Sequence, residues 1–237
     1  MRFNEQAETY AAQAHIQADL AAWTSEWLQE GSGRSSALEL GAGPGVFTEY
    51  LLDRFSQVHA TDISPAMIKV GEAAYPAANW SLVDGWQPSV GRYDATVSAS
   101  LMQWCPQPTE ALRRQALTLK PGGRLLHGFY VDPTLTEFRS LAPGWLPLPW
   151  RSQSAWLAHV EAAGLRILRA GSLECRYDFS DARALLRFFQ LTGAVSCRRA
   201  SPGRLRRFMR EYERRFATAD GVSSTWQFFR IEAQWPE

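Results

Sequence analysis

The sequence predicts one α/β domain with a mostly parallel β-sheet and helices on both faces. The chain has 237 residues, of which 46% are hydrophobic and 21% charged, so it can bury a full core as one unit. Strand-like apolar runs alternate along it with segments that suit helices. Four of these runs end in acids, small polar residues or glycines, as parallel strands do where they deliver functional groups to one edge of a sheet.

The first predicted strand runs into a glycine-rich turn. It reads Ala-Leu-Glu-Leu-Gly-Ala-Gly-Pro-Gly and holds Glu39, Gly41, Gly43 and Gly45. Glycine lets the backbone bend sharply and lets a ligand approach more closely than a Cβ would permit. Residues 46–54 are predicted to form the helix behind the turn. The Gly-x-Gly-x-Gly spacing is neither the dinucleotide-binding pattern nor a P-loop, so we expect a nucleotide-like ligand and disfavour a nicotinamide dinucleotide.

Acids stand at the ends of the next predicted strands. Asp62 ends the second strand, 21 residues after Gly41. An acid at about this distance accepts hydrogen bonds from ribose hydroxyls. Asp84 ends the third strand, and a fourth covers 93–99. Any one of these acids alone could instead cap a helix, but the ordered set favours a ligand site.

Taken in order, the glycine turn, Asp62, Asp84, the Tyr93-Asp94 strand and the Lys-Pro-Gly-Gly turn at 120–123 form a set of motifs. This set resembles that of class I S-adenosylmethionine-dependent methyltransferases over roughly residues 36–131. The resemblance implies a Rossmann-like fold with a seven-stranded, mostly parallel sheet and a helical insertion before the last strand. It also implies S-adenosylmethionine as cofactor and S-adenosylhomocysteine as product.

Shorter motifs extend the resemblance to nearly the whole chain. They are Phe3-Asn4-x-x-Ala7-x-x-Tyr10, the segment 98–105, the segment 136–138 and Leu186-x-x-Phe189-Gln190-x-x-Gly193-Ala194. Together they resemble the malonyl-[acyl-carrier protein] O-methyltransferases of biotin synthesis. Three places depart from the usual pattern of that family: Ala99, His127-Gly128 and Gln190.

The resemblance implies a cofactor site made of turn and strand-end residues. They are Glu39, Gly41, Ala42, Gly43, Gly45, Asp62, Ile63, Met67, Asp84, Gly85, Trp86 and Ser98. A sulfonium makes the transferred methyl group electrophilic, so the protein mainly has to align a nucleophile and exclude water. A carboxylate nucleophile is already ionised at neutral pH and requires no general base. We therefore assign no catalytic side chain.

Six side chains are candidates for holding the acceptor carboxylate. They are Tyr10, Gln103, Trp104, His127, Tyr130 and Arg139. Gln103 and Trp104 follow the fourth strand, where open α/β sheets bind ligands. Structural alternatives stay open: Tyr10 could anchor an amphipathic first helix, and Trp104 could be ordinary packing. His127 could be a satisfied histidine within a strand, and Arg139 a surface residue.

The rest of the chain continues the alternation. Helices are predicted over 109–119, 154–163, 181–191 and 203–217, and strands over 124–131, 165–177 and 225–235. The segment 141–150 is rich in proline and tryptophan and cannot be a regular helix, so it is either a lid over the pocket or a rigid loop packed on the core. The single domain, 1–237, then comprises a helical cap (1–30), a cofactor-binding core (36–131) and a remainder (132–237) with the lid, late helices and last strand.

Arginines cluster late in a chain whose net charge is only +1. The cluster is Arg198, Arg199, Arg204, Arg206, Arg207, Arg210, Arg214 and Arg215, against Glu211 and Glu213. The resemblance suggests docking of the acidic carrier protein, or use of malonyl-CoA, with Arg198, Arg199, Arg206, Arg207 and Arg210 as docking candidates. Nucleic acid is a less favoured partner, and a solvated helix face with internal ion pairs is the structural alternative. Aromatic residues at helical spacing, Phe208, Tyr212 and Phe216, predict the buried side of this helix.

Composition disfavours several classes of protein. The three cysteines form no Cys-x-x-Cys pair, which argues against a metal site. The N-terminal residues are polar, and no apolar stretch approaches the roughly 20 residues needed to cross a bilayer. We therefore expect a reduced, cytoplasmic protein without metal or membrane span. A methyltransferase with another carboxylate, hydroxyl or amine acceptor, and a nucleotide-binding module without catalysis, stay open as alternatives.

Overall fold

A computed structural model describes residues 14–29, 35–146, 148–191 and 201–235. Eight strands occur in these ranges: β1 (Ser36–Leu40), β2 (Gln57–Asp62), β3 (Asn79–Leu82), β4 (Tyr93–Ala99), β5 (Leu119–Tyr130), β6 (Arg166–Phe179), β7 (Ala217–Thr218) and β8 (Gly221–Gln234). The α-helices described are α1 (His15–Ser25), α2 (Thr48–Leu52), α3 (Pro65–Ala74), α4 (Pro108–Ala116), α5 (Thr136–Leu141), α6 (Gln153–Ala162), α7 (Ala182–Leu191) and α8 (Pro202–Phe216). A short 3₁₀ helix covers Met102–Trp104.

The strands form one sheet in the order β3-β2-β1-β4-β5-β8-β6, and the two-residue β7 adds to β8. The five strands from β3 to β5 are parallel, whereas β8 runs antiparallel to both of its long neighbours. The predicted Rossmann-like α/β fold with a mostly parallel sheet is confirmed. The predicted helical insertion is α7 and α8, which lie between β6 and β8 in the chain.

Local sequence explains where the elements begin and end. All five residues of β1 are buried, as expected for a central parallel strand. Helix α3 begins after Ser64, whose hydroxyl accepts a hydrogen bond from Met67 N at 3.2 Å, and Pro65 occupies its first turn. Helix α6 ends before Gly164, whose φ of 84° belongs to the left-handed region.

The prediction for the Lys-Pro-Gly-Gly segment needs a correction. Helix α4 ends at Ala116 rather than at 119, and β5 begins at Leu119 rather than at 124. The segment lies within β5 and makes an irregularity there, since the pairing with β4 shifts register between Tyr93 and Ala95. Gly122, with φ of 76°, permits this bulge.

Aromatic side chains pack the late helices onto the sheet. Phe208 and Tyr212 on α8 are buried, and Phe216 packs against the same cluster, as the helical spacing predicts. The ring of Trp145 lies 5.1 Å from that of Phe208, and the Arg139 guanidinium lies 4.9 Å from the Trp150 ring. The described part of the 141–150 segment is therefore packed on its neighbours, which fits the rigid-loop alternative.

Within the described ranges, no helix combines the length and apolar character that a membrane crossing requires.

Candidate active site

The glycine turn leads from β1 into α2 at the carboxyl edge of the sheet. Gly41, Gly43 and Gly45 have φ values of 66°, 58° and 100°, so each adopts a conformation that side chains disfavour. Ala42 N donates to Thr61 O at 2.8 Å, which ties the turn to β2. A Cβ added at Gly43 would meet no protein atom within 4 Å, so this position opens onto free space where a ligand can approach the backbone.

Asp62 braces this turn from the end of β2. Its Oδ2 accepts a hydrogen bond from Gly43 N at 2.9 Å, and its Oδ1 accepts one from Ser64 N at 2.8 Å. Burial raises the pKa of its carboxyl, and these backbone bonds partly oppose the rise. A carboxylate offers about four acceptor positions, so acceptor capacity remains for a ribose hydroxyl.

A cavity of about 440 Å³ opens between the ends of β1, β2, β3 and β4. The predicted cofactor residues that line it are Gly41, Gly43, Asp62, Ile63, Met67, Asp84, Gly85 and Trp86. Trp104, a predicted acceptor-binding residue, lines it as well. Asp84 Oδ1 accepts a hydrogen bond from Trp86 N at 2.9 Å, which shapes the loop after β3. The cavity thus combines strand-end carboxylates with apolar side chains, as a nucleoside site requires.

Four further lining residues were missed from the sequence: Ser64, Val83, Ser100 and Leu101. Ser100 has a φ of 61°, which is uncommon outside glycine and places it where β4 turns away from the sheet. Gln103 fixes this turn, because its Nε2 donates to Ser100 O at 2.7 Å. Gln103 itself is buried and does not line the cavity.

A second, smaller cavity of about 50 Å³ lies on the other side of the glycine turn. Glu39, Gly41, Ala42 and Gly43 line it, together with Gln17 from α1. The side chain of Glu39 is only 1% exposed, and Thr48 Oγ1 donates to its Oε2 at 2.6 Å. Burial raises the pKa of Glu39 to about 8, the Thr48 bond lowers it, and the charge of Asp62 adds to the rise. This carboxyl therefore holds a proton at neutral pH unless a cation lies beside it.

Gly45 packs against the Tyr75 ring, and a Cβ at this position would lie only 2.5 Å from that ring, so the turn requires glycine here.

Ser98 and His127 bond to each other, with 2.8 Å between Ser98 Oγ and His127 Nδ1. Both are buried inside the sheet and line neither cavity, which places them differently from the predicted cofactor and acceptor roles. Burial lowers the pKa of His127 to about 3, so it stays neutral, as the structural alternative expects.

Tyr130 and Arg139 also lie outside the linings of the two cavities. The buried Tyr130 ring packs 5.0 Å from that of Trp226. Arg139 Nη1 donates to Asp132 Oδ1 at 2.6 Å and to Thr134 O at 3.1 Å, so its charge is offset within the protein.

Three predicted residues lie outside the described ranges: Tyr10, Arg198 and Arg199.

Five of the six arginines of α8 fall into two groups. Arg214 and Arg215 pair with Glu211 at 2.9 and 3.4 Å, as the internal ion-pair alternative expects. Arg206, Arg207 and Arg210 are exposed. In the part of the chain that the structure describes, these three enter no ion pair shorter than 4 Å. We call them the α8 arginine face.

The two cavities together fit S-adenosylmethionine. Asp62 would hold its ribose, the apolar wall with Ile63 its adenine, and the cavity at Glu39 a cationic end. Ile63 lines the larger cavity and is 65% exposed, so its side chain is accessible to a ligand there. When bound, this cofactor would supply an electrophilic methyl group, and the residues named would bind and orient it.

Comparisons with known proteins agree with this geometry. A family described as "Methyltransferase domain" matches residues 38–125. The malonyl-[acyl-carrier protein] O-methyltransferase of Prosthecochloris aestuarii is 26% identical over 242 residues, which cover 95% of this chain and 88% of that protein. The biotin biosynthesis bifunctional protein BioHC of Cellvibrio japonicus is 32% identical over 143 residues, which cover 58% of this chain but 28% of that protein.

Solved structures share the fold. Geranyl diphosphate C-methyltransferase of Streptomyces coelicolor, in complex with Mg²⁺, geranyl diphosphate and S-adenosylhomocysteine, superposes with a TM-score of 0.61 at 14% identity. The match covers 94% of this chain and 80% of that one. With the strand order and the glycine turn braced by Asp62, these likenesses show that the chain has the class I methyltransferase fold and that its residues 38–125 match a methyltransferase domain.

Proposed function

We propose that this enzyme methylates the free carboxylate of a malonyl thioester, on acyl carrier protein or on CoA, and so makes the methyl ester that starts the pimeloyl branch of biotin synthesis. The observation that carries the proposal is the extent of the similarity to malonyl-[acyl-carrier protein] O-methyltransferase, 95% of this chain and 88% of the relative. This similarity extends beyond the matched domain, 38–125, into the late helices and last strand.

The chemistry of the described cavity supports a carboxylate acceptor. The larger cavity is lined by Asp62 and Asp84, whose carboxylates already accept hydrogen bonds from backbone N–H groups, and by no histidine, cysteine, lysine or tyrosine in the described ranges. His127 is held neutral in the sheet, and burial raises the pKa of the Cys105 thiol to about 11. A hydroxyl or amine acceptor needs a base to take its proton, whereas a malonyl carboxylate has none to lose at neutral pH.

Arg139 is our candidate for holding the acceptor carboxylate. A guanidinium has five N–H donors in a planar fork that matches a carboxylate. Arg139 already binds one carboxylate, that of Asp132, through Nη1 alone. The donors on Nε and Nη2 are those we assign to the acceptor.

Methyl transfer from labelled S-adenosylmethionine tests the proposal. We expect label in malonyl carrier protein or malonyl-CoA, with mass spectrometry locating a methyl ester on the malonyl group. Acetyl-CoA is the matched control, because it has the same carrier and thioester without the carboxylate, and it should receive no label. Transfer to an amine or hydroxyl acceptor with none to malonyl thioesters would point to the alternative small-molecule methyltransferase.

We also propose that the α8 arginine face docks an acidic carrier protein. Changing Arg206 and Arg207 to glutamate should raise KM for malonyl carrier protein several-fold, chiefly through slower association, and leave malonyl-CoA turnover nearly unchanged. The double variant of Lys69 and Arg92 to glutamate is the control, since both residues are exposed and the change of charge is the same.

Salt provides a second measurement. Exposed charges are screened beyond about 8–10 Å at physiological ionic strength, so added salt should weaken the use of the carrier more than that of CoA. Equal losses in the two double variants would contradict docking at α8 and leave its arginines as a solvated face.

A further inference from the structure

Gln17 on α1 is an unexplained polar residue next to the glycine turn. It is 9% exposed, and its side-chain oxygen, Oε1, is buried without a hydrogen-bond partner. An unpaired buried acceptor costs folding free energy, so such a group needs a reason. Gln17 lines the 50 Å³ cavity that also contains Glu39.

The walls of this cavity select the kind of group that could enter. Gln17 contributes an amide oxygen and Glu39 a carboxyl, both of which are acceptors when the carboxyl is ionised. The other described lining residues are Ala21, Gly41, Ala42, Gly43, Pro44, Val46, Phe47, Ala99 and Ser100, none of them a cation. A small group that carries several N–H donors and a positive charge would satisfy both acceptors.

The position of the small cavity beside the larger one identifies this cationic group. Gly41, Gly43 and Ser100 line both cavities, so the two meet around the glycine turn. Asp62 and the apolar wall of the larger cavity suit a nucleoside. The smaller cavity is then in reach of the opposite end of the same cofactor, an amino acid whose ammonium group has three N–H donors.

We propose that Gln17 is a cofactor-binding residue that accepts a hydrogen bond from the ammonium group of S-adenosylmethionine, with Glu39 on the same cavity wall as its counter-charge. The inference rests on the cofactor and is independent of the methyl acceptor. It makes α1 part of the cofactor site, a role that no glycine motif or strand-end acid predicts.

Calorimetric binding of two ligands by the unloaded protein tests it. S-adenosylhomocysteine has the ammonium, whereas 5′-methylthioadenosine keeps the nucleoside and sulfur but lacks the amino-acid end. Gln17→Met has similar volume without the acceptor. It should weaken S-adenosylhomocysteine binding about tenfold or more, the size expected for a hydrogen bond to a charged group. Binding of 5′-methylthioadenosine should change by less than about twofold on the same scale.

Two further variants separate binding from folding. Thr24→Val is the control on the same helix, because Thr24 is buried and its hydroxyl donates to Leu20 O within the helix; this variant should alter neither affinity. Gln17→Glu keeps an oxygen at the site and should bind S-adenosylhomocysteine more tightly than Gln17→Met. The unliganded Gln17→Met protein should be at least as stable as the wild type, since it loses an unpaired polar atom.

Equal losses for the two ligands, or no loss for either, would overturn the proposal and make Gln17 a packing residue whose oxygen binds water. If the wild-type protein bound 5′-methylthioadenosine and S-adenosylhomocysteine equally well, the ammonium group would contribute nothing to affinity. The proposal for Gln17 would then fail, whereas the assignment of S-adenosylmethionine as cofactor would remain. If the wild-type protein bound neither ligand, both the Gln17 proposal and the cofactor assignment would be overturned.

Discussion

Glu39 should make the stability of the unliganded protein fall as pH rises. Its carboxyl is 1% exposed, and its pKa is raised from 4.5 to about 8. The folded protein therefore holds this proton more tightly than the unfolded chain does. The contribution of Glu39 is fully present below about pH 4.5 and is lost as pH rises toward 8, since the unfolded chain releases the proton first.

The magnitude follows from the size of the shift. Each pKa unit corresponds to about 1.4 kcal/mol, so the free energy of unfolding should fall by roughly 3–4 kcal/mol between pH 5 and pH 8 from this group alone. Glu39→Gln removes the titration and keeps an acceptor for the Thr48 hydroxyl. The stability of Glu39→Gln relative to wild type should therefore rise by roughly that amount over the same pH range.

Urea unfolding of the two unliganded proteins at several pH values measures this difference. Other titrating groups, such as His127, contribute almost equally to both curves and cancel in the comparison. The buried amide can add a constant cost, so the slope against pH is the quantity that decides, not the offset. Two parallel curves would refute the assignment of a protonated Glu39 and with it the idea that a cation is needed beside this carboxyl.

Three other results are expected. Gly43→Ala should weaken S-adenosylhomocysteine binding at least about tenfold by placing a Cβ in the cavity, whereas Gly122→Ala, equally open with φ of 76°, should not; equal calorimetric affinities would contradict the assignment of the turn. With saturating cofactor and malonyl thioester, and with methyl transfer rate-limiting, kcat should be nearly constant between about pH 6.5 and 8.5, whereas a tenfold rise per pH unit would indicate a nucleophile that must lose a proton. The Arg230 guanidinium lies 4.0 Å from the Trp23 ring and 4.1 Å from the Trp27 ring. Arg230→Leu should therefore lower the free energy of unfolding in urea by about 2–4 kcal/mol and speed hydrogen exchange in α1 but not in β1. Unchanged exchange in α1 would show that this contact does not hold the helix.

The elements that local chemistry determines could be predicted from the sequence. A short apolar run that ends at turn-forming residues predicts a buried strand, and β1 is such a strand. Gly41 and Gly43 have positive φ values, which the tight turn requires. Asp62 accepts a hydrogen bond from Gly43 N because the ends of neighbouring parallel strands lie at a common edge of the sheet. The glycine turn and the place of Asp62 beside it follow from these local rules.

The surroundings of several predicted site residues could not be read from such local patterns, because contacts with other segments determine them. Ser98 and His127 lie 29 positions apart and bond across neighbouring strands, so a pattern along one strand cannot reveal the pair. Arg139 binds Asp132 through Nη1, so an apparent surface cation already has one carboxylate partner. The helical sequence around Gln17 does not indicate a binding role, because that role depends on which cavity α1 covers in the folded protein.

Contacts from the late strands anchor α1 beside the glycine turn. Arg230 on β8 lies between Trp23 and Trp27 and donates through Nη1 to Trp23 O and, at 2.9 Å, to Glu26. Tyr177 on β6 donates to Asp19 at 2.7 Å nearer the start of the helix. The strands that hold α1 thus lie outside the matched domain, 38–125, although the cavity that α1 covers belongs to the glycine turn. Changes in these late strands should therefore reach cofactor affinity through α1, without any contact to the cofactor.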